Sequence, residues 1–261
     1  MGGLSSRPPR GVSSYAPVVT SILAAGAVLV AALVKGAIGF GFPTLGTPLL
    51  SLAMDVKTAV VVLIVPNIAM DGIQFVRRGS PLAIVRRFAP LLVGGAVGTV
   101  VGTRLLMALS SRVALLVLGL FIVLFVALTA AGVTLRVSPR RERWAAPLVG
   151  LLTGIIGGIT NVPGTPLVVY FQALGLPKHD FVAAMAFTFV AYKLVQLGAV
   201  TYYGLLTWPL VGISLGLTLA ALAGFAVGLL IQDRLEQRTF NRLILGFLAL
   251  LGTWLIVRSL R

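Results

Sequence analysis

The chain has 261 residues, of which 58% are apolar and only 10% charged, and its formal net charge is +15. A soluble fold carries about 25% charged residues to cover its surface, so this composition excludes a soluble enzyme, a soluble nucleic-acid-binding domain and a disordered chain. With no cysteine and a single histidine, His179, disulfides, thiolate chemistry and a multi-histidine metal site are excluded as well.

A tail over residues 1–15 carries Arg7 and Arg10. It could mimic a signal peptide, but the apolar run that follows continues through Leu33 without a convincing cleavage site and reads as a retained first helix. The apolar segments then fall at about 16–38, a short 44–54 closed by Asp55 and Lys57, 57–76 closed by Arg77, Arg78 and Gly79, 82–109 and 113–134. A basic loop over 136–144 holds Arg136, Arg140, Arg141 and Arg143. Beyond it lie 145–158, a short 163–174, 179–203, 208–231 and 240–257. Backbone groups in lipid must be satisfied within the segment, and no alternating barrel pattern is visible, so these segments are predicted to be helices. The expected fold is an all-α polytopic integral membrane protein with about eight transmembrane helices plus short broken or re-entrant segments.

The two short segments each follow a Gly/Pro-rich stretch, Gly36 to Pro43 and Gly154 to Pro163, and the similarity extends further. Gly46-Thr47-Pro48-Leu49 recurs 118 positions later as Gly164-Thr165-Pro166-Leu167, and Gly36 and Gly39 fall on Gly154 and Gly157 at the same offset. Past a four-residue insertion Gln74 falls on Gln196, and further on Gly94, Gly98 and Arg104 fall on Gly224, Gly228 and Arg234. The series predicts two homologous halves, 16–135 and 145–261. Paired Gly/Pro-interrupted segments in corresponding positions point to a transporter binding site. Thr47-Pro48 and Thr165-Pro166 are expected to start helices, threonine as the cap and proline in the first turn. Their free N–H groups would hold an anion. Gly94, Gly98 and Gly102 read instead as close-packing positions.

A glycine-rich stretch, a small-residue-Pro-Leu step, a short segment and a charged turn, duplicated over about Ala31 to Leu255, resemble the TauE/SafE sulfite exporter family, also described as toluene-sulfonate uptake permeases. Phe40, Phe42 and Pro43 interrupt the denser glycine run usual in the first half of that family. The resemblance implies secondary transport of small, often sulfur-containing anions such as sulfite, sulfonates or sulfoacetate-like compounds, in the inner (plasma) membrane of a bacterium.

Charges inside apolar segments are functional candidates. Asp71 and Lys193 occupy equivalent positions in the two halves, each with a glutamine three residues on, Gln74 and Gln196, on the same helix face. Lys193 lies near a helix centre and is expected to need a partner. Asp71 is the expected partner in the empty state, to be replaced by an anionic substrate, with protonation of Asp71 as a route to proton coupling. An interfacial position for Asp71 is the alternative. Lys35, beside Gly36, reaches either the broken region or the lipid headgroups, and Asn161 can cap freed backbone or touch substrate. The candidate substrate-binding set is therefore Gly46, Thr47, Pro48, Asn161, Gly164, Thr165, Pro166, Lys193, Gln74, Gln196 and Lys35, with Asp71 for coupling.

Six acids in all (Asp55, Asp71, Glu142, Asp180, Asp233 and Glu236) leave no pair of acids on one helix in the membrane and no Asp-rich motif for magnesium. No enzyme activity, cofactor or metal is expected, and no nucleic-acid partner; the arginines read as topology signals and lipid contacts. The expected partners are a small anion, the bilayer and protons, with homo-oligomerisation open. An anion channel and a non-transporting assembly subunit are the alternatives. The arginines of 77–87, 136–143 and 234–242 fit one cytoplasmic face, with the uncharged loop 203–207 opposite. A re-entrant hairpin of 145–158 and 163–174 would make the halves inverted repeats. Joining those two segments into one span would make them parallel.

Overall fold

A computed structural model of the chain describes residues 16–39, 41–78, 81–132, 139–231 and 237–260. Among these residues every regular element is a helix: α1 (Ala16–Ile38), α2 (Phe42–Ala53), α3 (Val56–Val62), α4 (Ile64–Arg78), α5 (Pro81–Ala108), α6 (Ser111–Ala130), α7 (Pro139–Thr160), α8 (Gly164–Ala173), α9 (Lys178–Tyr202), α10 (Trp208–Ile231) and α11 (Gln237–Leu260). Among the described residues, seven spans, one of them the joined α3–α4 stretch Val56–Arg77, are long and apolar enough to cross a membrane, and the apolar part of α11, Ile244–Leu260, is shorter. Aliphatic side chains such as Leu120, Leu219 and Leu250 stay exposed on the outer helix faces, where the solvent is lipid. The chain is an all-α polytopic integral membrane protein. The tail 1–15 and the arginines Arg136 and Arg234 lie outside the described residues.

The segment expected as one helix over 57–76 is divided at Leu63. Pro66 explains the division: it has no N–H to offer the carbonyl four residues back, and its ring crowds that carbonyl. The freed acceptor is Val62 O, and Ser214 Oγ of α10 donates to it at 2.7 Å. The backbone break is thus satisfied inside the protein, as a low-dielectric surround requires.

Two helix pairs pack almost backbone to backbone. On α5, Gly94 lies against the Pro147 carbonyl, Gly98 against Leu151 and Ile155, and Gly102 against Ile155 of α7. Both sequences ascend together, so α5 and α7 run parallel. On α10, Gly224 lies against Leu29, and Gly228 against Leu33 and Gly36 of α1, again in ascending order. A methyl group built on Gly98 would stand 2.2 Å from the Leu151 carbonyl oxygen, so nothing larger than hydrogen fits. The packing role expected for Gly94, Gly98 and Gly102 is what the structure holds.

The remaining directions follow from contacts. The end of α9, at Tyr202 and Tyr203, shares a pocket with Arg104 and Met107 at the end of α5, so these helices are parallel. Ile64 clusters with Val200, and the Phe75 and Phe187 rings lie 5.0 Å apart, so α4 runs against α9. A tight turn after Tyr203 sends α10 back, and α1 follows α10. Hence α1 opposes α7, α4 opposes α9 and α5 opposes α10. These are the helices that the sequence offsets match, and each pair runs in opposite directions.

α1 and α2 form one hairpin, and α7 and α8 form another that enters from the other face. α7 is longer than the expected 145–158: its 22 residues rise about 33 Å and include a 19-residue apolar span. The re-entrant part of the second hairpin is therefore the ten-residue α8 alone.

Candidate functional site

Each hairpin turns on residues in left-handed backbone. In the first, Gly39 and Gly41 have φ of 96° and 97°; in the second, Asn161 has φ of 67°. Asparagine is one of the few side-chain-bearing residues that accept this region. At Asn161 it ends α7, its N–H still donating to Gly157 O at 2.8 Å.

The helix starts differ from the expected ones. Because Gly41 reverses the chain, with Pro43 in the first turn, α2 begins at Phe42. Thr47 and Pro48 therefore lie inside the helix, and Thr47 is not a cap. In the second half α8 begins at Gly164 behind Pro163, so Thr165 and Pro166 belong to its first turn and the capping position is taken by a proline. Pro166 suits that turn; the side chain of Thr165 is outside the described part of the structure. Gly46 packs against Leu63, Ala31 and Phe42, and a methyl group built on Gly164 would stand 3.8 Å from the Phe189 ring.

The polar residues converge where the two hairpins meet. Asn161 Oδ1 accepts a hydrogen bond from Lys193 Nζ of α9, and its Nδ2 donates to Thr47 Oγ1 of α2 at 3.3 Å. One asparagine at the tip of the second hairpin therefore ties the first hairpin to α9. Lys193 Nζ also donates to Gln196 Oε1 at 2.5 Å, and Gln196 Nε2 reaches the carbonyls of Gly157 and Gly158 at 3.4 and 3.3 Å. The first half repeats this last contact: Gln74 Nε2 donates to Gly39 O at 2.5 Å. Gln74 and Gln196, and Gly39 and Gly157, are the residues that the offsets match. Each glutamine donates to a carbonyl oxygen at the break it faces.

The charges pair differently from expectation. Asp71 Oδ1 accepts from Lys35 Nζ at 2.5 Å, with both side chains 1% exposed or less. Asp71 is therefore not interfacial, and Lys35 does not snorkel. The expected Asp71–Lys193 pair is replaced because α1 brings Lys35 against α4, while Lys193 is taken up by neutral oxygens. Asp71 and Lys193 still feel each other electrostatically. Lys35 Nζ lies 5.9 Å from the centre of the Phe189 ring, and Phe189 is one turn before Lys193 on α9. The buried charges among the described residues are Lys35, Asp71 and Lys193, which sum to one positive charge.

Sequence reasoning missed the Lys35–Asp71 pair, which spans 36 positions and leaves no local pattern. It also missed Asn67, fully buried one turn before Asp71, whose spacing to Asp71 and Gln74 is a helical-face signal that a search for buried polar stripes detects.

Opposed broken hairpins around a buried, charged centre, with no aqueous domain among the described residues, define a polytopic membrane transport protein. Residues 23–255 match the sulfite exporter TauE/SafE family, and the chain belongs to that family. No curated protein and no solved structure matches the chain.

Proposed function

We propose that the chain is a secondary transporter of small anions, with sulfite, sulfonates and sulfoacetate-like compounds as the candidate substrates, working by alternating access in a bacterial inner membrane. The observation that carries this reading is Lys193: a buried ammonium at the meeting point of two helix breaks, held by Asn161 and Gln196 oxygens, with no carboxylate in ion-pair contact among the described residues. A charged side chain at membrane depth costs about 2.5–3.5 kcal/mol on insertion scales. Neutral oxygens offset part of that cost and leave the charge for a ligand. A small anion gains the lysine together with the amides of Asn161 and Gln196, and the N-termini of α2 and α8 add positive potential. Sulfur is suggested by the family; the electrostatics select only an anion.

In this reading the halves 16–135 and 145–261 are inverted repeats, which supplies two related conformations open to opposite faces. The face bearing the α4–α5, α6–α7 and α10–α11 connections is cytoplasmic, since the arginines concentrate there. Catalysis is not part of the reading. Purified protein in liposomes tests it: saturable flux of sulfite or a sulfonate is expected, with no flux of cations or neutral sugars. Non-saturating flux would indicate a channel, and no flux of any anion would leave an assembly role.

A further inference from the structure

One face of α4 carries polar atoms that the anion site does not use. Asn67, Asp71 and Gln74 are all buried, at spacings of four and then three residues, which stacks them on a single helix face. Among the described residues, Asn67 Oδ1 and Nδ2, Asp71 Oδ2 and Gln74 Oε1 have no hydrogen-bond partner. Unpaired polar atoms in an interior are costly, and a group of them on one stripe calls for a state that uses them. Three of the four atoms are oxygens, all of them acceptors while Asp71 is ionised. Asn67 Nδ2 is the one donor among the four, so the stripe is short of hydrogens for its oxygens.

A metal ion would compete for the same oxygens, but hard divalent cations want about six or more oxygen ligands, and this stripe lies beside two lysines. A proton needs one oxygen to sit on and one to receive its hydrogen bond.

We infer that the coupling ion of this transporter is a proton carried on Asp71 Oδ2, and that Asn67 is the positioning residue whose Oδ1 accepts the hydrogen bond of the protonated carboxyl. The inference rests on the anion-transport reading and adds the ion and its receiver to it. In the step an O–H bond forms on Oδ2 as one breaks in a hydronium ion from the open side, which leaves as water. Asp71 Oδ1 continues to accept from Lys35 Nζ, now as a bond between a cation and a neutral acid. The other charged groups near Asp71 are Lys35 from α1 and Lys193 from α9. α10 carries no titratable side chain. On α3 the lysine, Lys57, is engaged with the Met107 carbonyl, and on α4 itself Arg77 and Arg78 sit at the C-terminal end. Asp71 is the buried carboxylate among the described residues. Protonation raises the buried charge from one positive to two, and the anion returns it to one. Proton and anion therefore favour each other's binding and cross together.

The test uses the whole protein in liposomes with a trapped pH dye, with methanesulfonate and sulfite as probe anions. Anion uptake is expected to acidify the lumen, equally in sodium and in choline buffers. Asn67→Leu is expected to move the pH midpoint of anion affinity down by about half to one unit, a three- to tenfold loss of proton affinity, the worth of one hydrogen bond. Asn67→Asp, close in shape, is expected to move the midpoint up, because two carboxylates one turn apart cannot both ionise freely. An unchanged midpoint in either folded variant overturns the role of Asn67, and should Asn67→Leu fail to fold, Asn67→Asp decides alone. Flux that requires sodium, or that moves anion without protons, overturns the proton. If the wild-type protein moves neither anion, the transport reading itself fails.

Discussion

At the residue scale the site depends on how a single cation is held. Lys193 has only neutral oxygens, so its removal takes away the charge an anion needs without leaving a carboxylate unpaired. Lys193→Met is therefore expected to fold and to lose anion affinity by about 10- to 100-fold, the worth of a hydrogen bond to a charged group, measured by equilibrium binding to detergent-purified protein. Lys35→Met is a different case, since it leaves Asp71 buried and unpaired; loss of a partner from a buried ion pair costs about 3–5 kcal/mol, and a reduced melting temperature is expected. Thr47→Val removes the 3.3 Å contact to Asn161 Nδ2. Because Thr47 lies inside α2 and is not a cap, the helix start is untouched, but the buried Asn161 Nδ2 loses its acceptor; a loss of about 1–3 kcal/mol in stability and a few-fold weaker anion binding are expected. Unchanged affinity in a folded Thr47→Val protein would remove Thr47 from the site.

At the element scale, much of the fold was legible because membrane helices are marked by long apolar runs and by what interrupts them. Positions of α1, α5, α9 and α10 follow from such runs within a few residues. The exact helix starts were not legible. Thr47-Pro48 has the composition of a start, but Gly41 with Pro43 supplies the reversal more than one turn earlier, and a left-handed glycine among many cannot be picked out by spacing. The division at Leu63 was hidden in a continuous apolar stretch, although Pro66 carried the signal. Two predictions belong here. Gly98→Val would force a side chain against the Leu151 carbonyl; overpacking of this kind costs about 1–3 kcal/mol, and a lower melting temperature in detergent is expected, whereas the same change at Gly216, which has open space around it, is expected to have little effect. Ser214→Ala would leave the Val62 carbonyl unpaired, a loss of about 1–3 kcal/mol that thermal unfolding would register.

At the scale of the whole molecule, the two candidate arrangements of the halves differ in where one loop lies. With parallel repeats, the uncharged loop 203–207 would share a face with the arginine-rich connections. In the structure, α9 ends beside the end of α5, and the α4–α5 connection lies at the opposite end of α5. Loop 203–207 is therefore across the membrane from that connection and from the 174–177 turn that precedes α9. The absence of native cysteine makes this directly measurable. Thr207 and Pro177 are both exposed, so single cysteines at Thr207→Cys and Pro177→Cys report on opposite ends of α9. In intact cells a membrane-impermeant maleimide is expected to label Thr207→Cys and to reach Pro177→Cys only after the membrane is opened, because the positive-inside rule holds the arginine-bearing face in the cytoplasm. Labelling of both from one side would contradict the direction of α9 and with it the opposed hairpins. The reverse pattern would keep the inverted arrangement and turn the molecule over, placing the arginine-rich connections outside.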